Sequence, residues 1–259
     1  MAATSKPTLT ITHVTTATAI LNIDGVNFLT DPFFGAIEGT EYDSTAVWEQ
    51  VDLKQFGFES IPPPPHLINK QGPALQLNEL PPIDAVLLSH EDHLDNLDPE
   101  GRKLLDGRKV FTTVDGKVYR ITGTPCKHFP IGEVTGFVLE TDSFGLDASG
   151  KPNAIYFSGD TVYIDELREI GKRWHITAAI FNLGNATFDF PTGPIQITMD
   201  GKQAVQLARD IGADVMVPIH FESWEHFKEG RAELEEVFAQ EGFLDKVCWT
   251  APGVPKVVF

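Results

Sequence analysis

Residues 83–96, IDAVLLSHEDHLDN, place His90, Glu91, Asp92, His93 and Asp95 within six positions. Imidazoles and carboxylates crowded in this way are costly to bury, because each loses water and the like charges repel, whereas a bound cation offsets both costs. The chemistry open to this stretch is therefore that of a metal site. Further candidates stand at other segment ends: His128 in the loop 125–130, Asp160 after Gly159, and His220 after an apolar run. Asp31, in the turn Thr30-Asp31-Pro32, could orient a ligand or simply accept backbone donors.

These side chains need rigid elements behind them. Residues 83–88 are short, apolar and flanked by Pro81-Pro82, which predicts a buried strand leading directly into His90. Residues 154–157 and 215–219 read as buried strands that end at Asp160 and His220, and 178–183 reads as another. Residues 8–29 alternate threonine with apolar residues around Asp24-Gly25, a hairpin signal. Strands are also expected over 110–113 and 118–122 about an Asp115-Gly116 turn, over 134–140, and at the closing 246–259.

Helices are expected from Asp98, with Pro99 at its first position, and over 165–170, closed by Gly171. A third follows the capping box Asp200/Gln203 and stops at Gly212; a fourth covers 231–240, and an aromatic helix or turn begins near Ser223. Residues 184–192 are expected as an aromatic-bearing loop. Ligands gathered from the ends of separate strands suit an α/β architecture, in which the sheet fixes the site and loops vary around it.

Composition narrows the classes. With 42% hydrophobic and 22% charged residues over 259 positions, the chain can bury a large core, and one domain over 1–259 is expected. Residues 35–82 form an irregular, proline-rich and aromatic insertion that reads equally as a plug over the sheet or as a substrate wall. The 37 acidic against 20 basic residues give a formal charge of -17, which argues against nucleic acid as a partner. No apolar run approaches the roughly 20 residues of a membrane span, and the first seven residues lack the apolar core of a signal peptide. Two cysteines cannot build a disulfide framework, so a reducing compartment, the cytoplasm, is expected. The long aromatic insertion could cover a dimer interface as easily as a substrate, so a dimer is compatible with the sequence.

In order and spacing, Leu29-Thr30-Asp31-Pro32-Phe33, the stretch Val86 to Asp95, His128, Tyr156 to Thr161 and Val217-Pro218-Ile219-His220 resemble the metallo-β-lactamase superfamily. The resemblance implies a four-layer αββα sandwich with the site at one sheet edge. It implies His128 as a ligand of a first metal, Asp160 as the carboxylate between two metals, and His220 as a ligand of the second. The family signature is H-x-H-x-D-H, and this chain departs from it. In one register His90 is the first histidine, Asp92 replaces the second and Asp95 replaces the last. In another, Asp92 and His93 are the Asp-His pair, His90 is the second histidine, and Asp95 only accepts a hydrogen bond beside the ligands. A compact version with a two-residue deletion is a third option.

The resemblance thus implies one or two divalent ions, zinc first, with manganese or iron compatible because carboxylates replace imidazole. The expected activity is hydrolysis by metal-activated water, with Asp92 or Asp95 handling the proton. No G-x-S-x-G element offers a serine nucleophile. Phe33, Phe34, Trp48, Phe188, Phe190 and Trp224 lie on loops expected to border the site, so a small apolar or aromatic ester, lactone or lactam is the expected substrate. A phosphodiesterase and a non-catalytic binding protein with a degraded metal site are the alternatives.

Overall fold

The computed structural model describes residues 6–35, 37–59, 67–105, 113–114, 117–128 and 133–259. Two sheets face each other. The first runs, in spatial order, Lys256–Val257, Leu9–Thr15, Thr18–Ile23, Val26–Thr30 and Ala85–Leu87, with its last pair parallel. The second runs Val215–Ile219, His175–Asn182, Asn153–Phe157, Thr135–Thr141, Lys117–Pro125 and Thr113–Val114, and its first three strands are parallel.

Strand alternation builds the layers. Ile155 and Phe157 point into the core between the sheets, with Leu21, Phe28 and Leu87 opposite. Ala154 and Tyr156 point the other way, onto the helical layer. That layer is Gly201–Asp210 and Arg231–Gln240 with the shorter Glu169–Arg173, and it buries Val205, Ala208, Leu234, Phe238 and Trp174. The outer face of the first sheet is covered more thinly, by Leu75, Leu77, Leu80 and Leu104 against Val14, Ile20, Leu29 and Ile83. The result is the αββα sandwich.

Local chemistry explains several boundaries. Asp24 and Gly25 both have positive φ, 52° and 89°, as a tight turn between two right-twisted strands demands. Residues 8–29 nevertheless form three strands, since a second turn at Thr16 precedes Thr18. Asp98 caps Pro99–Arg102 through the Gly101 N–H, and the Asp200/Gln203 box opens its helix as expected.

Other expectations need correction. Gly171 does not end a helix: Asp165–Arg168 passes directly into Glu169–Arg173, which contains it, and a Cβ there would stand 2.7 Å from Ile211 Cα, so the glycine serves close packing. The expected loop 184–192 contains a strand, Thr187–Phe190, paired with Gly193–Gln196. Only Lys256–Val257 of 246–259 is a regular strand, and residues after Ser223 form turns with a single bridge, Asn69 to Trp224. The Asp115-Gly116 turn, most of the expected strand 110–113 and Pro62 to Pro65 lie outside the described residues.

Candidate metal centre

The candidate side chains converge at the carboxyl ends of parallel strands. Asp31 follows Val26–Thr30, His90 to Asp95 follow Ala85–Leu87, Asp160 follows Asn153–Phe157, and His220 follows Val215–Ile219. His128 stands beyond Lys117–Pro125. The sheets are joined at this edge, where the Thr135 N–H donates to the Ser89 carbonyl at 3.1 Å. Gly159, at φ 59°, makes the turn that delivers Asp160; a Cβ there would lie 2.7 Å from the Thr135 carbonyl oxygen.

Proton positions in the cluster follow from its hydrogen bonds. The Ser89 hydroxyl donates to Asp31 Oδ2 at 2.8 Å, so it accepts from His90 Nδ1–H, also at 2.8 Å. His128 Nδ1–H donates to the Ile197 carbonyl at 2.7 Å. Each ring therefore presents its Nε2 lone pair, and both lone pairs face His93 Nδ1 at 3.2 Å. One ring proton on His93 can satisfy only one of them. A cation shared by His90, His93 and His128 satisfies all three, and their nitrogens lie within 4.8 Å of one another.

Carboxylates close the other side. Asp160 Oδ2 is 4.0 Å from both His90 Nε2 and His128 Nε2 and 3.6 Å from His220 Nε2, while Asp95 Oδ2 is 3.7 Å from His220 Nε2. His220 Nε2 is buried without a hydrogen bond. Separations of 3.2 to 4.0 Å are near those between ligand atoms placed about 2.0–2.2 Å from a shared ion. The residues present fit a divalent cation. Asn182 Nδ2 donates to Asp160 Oδ1 at 2.7 Å, and Asn96 Nδ2 to Asp31 Oδ2 at 3.1 Å, which fixes both carboxylates.

The electrostatics are consistent with ligation. Burial pushes His90 down to about 3 and lowers His128, leaving both neutral as ligands must be. Burial works against charge on His220 too, but Asp160 and Asp95 lift it to about 9. Asp160 and Asp95 are held below the usual carboxylate range: burial opposes ionisation, and neighbouring imidazoles, His220 foremost, outweigh it. Burial raises Asp31 to about 7 despite the Ser89 donors. Cys126 is pushed up to about 12 by burial and is an inert thiol.

In the structure His90 and His93 both lie beside His128, an arrangement that differs from the first two registers expected for the motif in bringing both imidazoles to one cluster. His90 and His93 both reach the cluster, Asp95 pairs with His220, and Asn96 stands where the signature has its last histidine. The signature is thus stretched by one residue, with Glu91-Asp92 between the histidines. Asp92 lies outside the set of ligand-distance contacts among the described residues; its charge is felt by Tyr42.

A cleft with about 610 Å³ of empty space, open to solvent, rises from the cluster. Its floor includes His93, Asp95, His128, Asp160 and His220, and among the described residues no lysine or arginine lines it. Trp48, Phe188 and Trp224 form part of its wall. Phe190 stands behind the wall, stacked on Trp48 at 5.8 Å, and Phe33 packs against Trp224 at 5.9 Å. Phe34 is in the apolar cluster on the outer face of the first sheet, away from the cleft. Within residues 35–82, Tyr42, Ser44, Trp48 and Leu67 line the cleft, and Trp48 and Leu67 also belong to a buried apolar cluster with Val51 and Leu53. Ser89, Asn182 and His226 went unseen in the sequence; a polar residue at a buried strand end was the available signal for the first two.

The sandwich and its histidine and carboxylate edge define a metallo-β-lactamase-type fold. A family model described as the beta-lactamase superfamily domain matches residues 100–221, which include His128, Asp160 and His220. The chain is 24% identical over 268 residues to a metal-dependent hydrolase of Exiguobacterium sp., an alignment spanning 91% of this chain and 96% of that one. It is 25% identical over 130 residues to a metal-dependent hydrolase of Methanoregula boonei, covering 46% of this chain and about half, 50%, of that relative. An isothiocyanate hydrolase from Delia radicum gut bacteria superposes with a TM-score of 0.69 at 20% identity, over 95% of this chain and 98% of that one. The chain thus has the metallo-β-lactamase-type fold and is similar, over residues 100–221, to the beta-lactamase superfamily domain.

Proposed function

We propose that the chain is a metal-dependent hydrolase of small, neutral, largely apolar molecules, an ester, lactone or lactam foremost. The observation that carries this reading is the set of imidazole nitrogens facing one another, which neutral rings cannot all satisfy with one proton for each contact, beside two ionised carboxylates under an apolar cleft. His90, His93 and His128 would hold one divalent ion and Asp95 and His220 a second, with Asp160 between the two sets. Once bound, the ions supply activated water and polarisation of the scissile bond. Asp31, Ser89 and Asn182 orient the ligands, and Asp95, on the cleft floor, takes the proton released on attack.

With His93 in the cluster the donors are four imidazoles and two carboxylates, a set that favours zinc over manganese. A phosphodiester substrate finds no cationic side chain in the described lining, which sets that alternative below a neutral acyl compound. The fold neighbour acts on an isothiocyanate; such a compound belongs in the substrate panel. The zinc-loaded protein is expected to hydrolyse an uncharged aryl ester or lactam faster than an aryl phosphodiester, and to lose that activity on chelation. Turnover that survives chelation would contradict the proposal.

A further inference from the structure

Two rings line two cavities at once. Tyr42 and Trp224 border the cleft above the metal ligands and also a second groove, with about 600 Å³ of empty space and open to solvent. Side chains that line both cavities are the wall between them. The groove lies beyond that wall from His93, Asp95 and His220, none of which lines it. Its apolar surface comes from Phe33, Leu94 and Pro99, and the carboxylates of Glu41 and Glu100 stand at its sides.

The two halves of the wall are held differently. Trp224 is 2% exposed, packs against Phe33 at 5.9 Å and is tied to Asn69 by a backbone bridge. Tyr42 is half-buried and ends the two-residue strand Glu41–Tyr42, which pairs with Leu67–Ile68. Its ring meets Trp224 edge-on, centroids 6.5 Å apart at 69°, and its phenol oxygen faces the Leu94 N–H. The ring therefore reaches from the 35–82 insertion to the loop that carries His93 and Asp95, and it bars the way from one cavity to the other. Cutting Trp224 back would leave a hole in the core, whereas Tyr42 can be cut back with a smaller loss of packing.

We propose that Tyr42 sets the length of the substrate this site admits: its ring stops the apolar tail of a neutral acyl compound at the wall, and the groove beyond is a second subsite shut off from the cleft. This rests on the cleft being the substrate site. The groove suits one occupant, an uncharged apolar tail continuous with a compound seated in the cleft, because it adjoins the cleft at the Tyr42–Trp224 wall and its surface is apolar. Glu41 and Glu100 at its sides repel an anionic tail. Each methylene that gains burial tightens binding about fourfold, so the length at which that gain stops reports where the wall stands.

The test is calorimetric titration of the zinc-loaded protein with 4-alkylbenzamides from methyl to hexyl. In wild type the gain per methylene is expected to stop within the series. In Tyr42→Ala it is expected to continue, so that the hexyl compound binds at least about tenfold more tightly than to wild type while the methyl compound is unchanged. Tyr42→Leu keeps an apolar side chain against Trp224 and is expected to move the limit in the same direction, which keeps the test alive should Tyr42→Ala not fold. Adding Leu94→Trp to either variant fills the groove and is expected to cancel the gain. The same dependence on length in wild type and both Tyr42 variants, a gain that survives Leu94→Trp, or no binding of the series at all would overturn the assignment. Zinc content and ester turnover measured on the same samples decide the hydrolase reading separately.

Discussion

At the residue scale, His220 is where proton and cation compete. Its backbone sits at φ 62°, a left-handed conformation rare for a non-glycine residue and held here by the packed strand end. Burial opposes its charge, but Asp160 and Asp95 raise it from an ordinary histidine's 6.5 to about 9. A histidine raised on folding stabilises the metal-free protein fully below 6.5, and that contribution disappears as pH climbs through about 9. The metal needs the same Nε2 lone pair. Metal affinity is therefore expected to rise between pH 6.5 and 9, by up to about tenfold per unit for one displaced proton. Competition titration with a chelator at several pH values checks this; a flat or falling affinity would remove His220 from the ligand set.

Ser89 offers a second test at this scale. Its hydroxyl links Asp31 to His90 and fixes which ring nitrogen faces the cluster. Ser89→Ala is expected to weaken metal binding about 10- to 100-fold with the fold retained. Unchanged affinity in Ser89→Ala would show that the relay does not orient His90.

At the element scale, the site is a set of strand ends, and the turn that delivers Asp160 is its tightest point. Gly159→Ala must place a methyl 2.7 Å from the Thr135 carbonyl oxygen at φ 59°. The expected loss is about 2–3 kcal/mol of stability, together with loss of metal as Asp160 shifts; thermal unfolding of the metal-free variant reads the first part. A melting temperature equal to wild type would mean the turn relaxes freely.

This element logic was legible in the sequence wherever a buried apolar run ended in one charged or imidazole side chain, as before His90, Asp160 and His220. The register of His90 to Asp95 was not. A turn tolerates an extra residue, and only the folded backbone shows that His93 reaches His90 and His128 while Asp95 reaches His220. Thr187–Phe190 was hidden too, because Gly193-Pro194 in its partner carries no strand signal and the pairing is made by the hairpin itself. His226 escaped notice because nothing local marks it; its meaning comes from the Phe188 stack, which joins residues distant in sequence.

At the scale of the whole molecule, two sheets packed face to face let one edge collect ligands from both, and among the described residues no cationic side chain lines the cleft. Among the described residues no helix is long and apolar enough to cross a membrane. The molecule's size and layers serve to hold four imidazoles and two carboxylates in place with little freedom to spread.

Elemental analysis of protein purified without added metal, repeated on Asp160→Ala and His90→Ala, tests this account most directly. About two equivalents of transition metal per chain, zinc foremost, are expected in wild type, with about half or less in either variant. Protein that stays metal-free even after incubation with zinc, manganese or iron would contradict the account and leave a binding protein with a histidine cluster of another use.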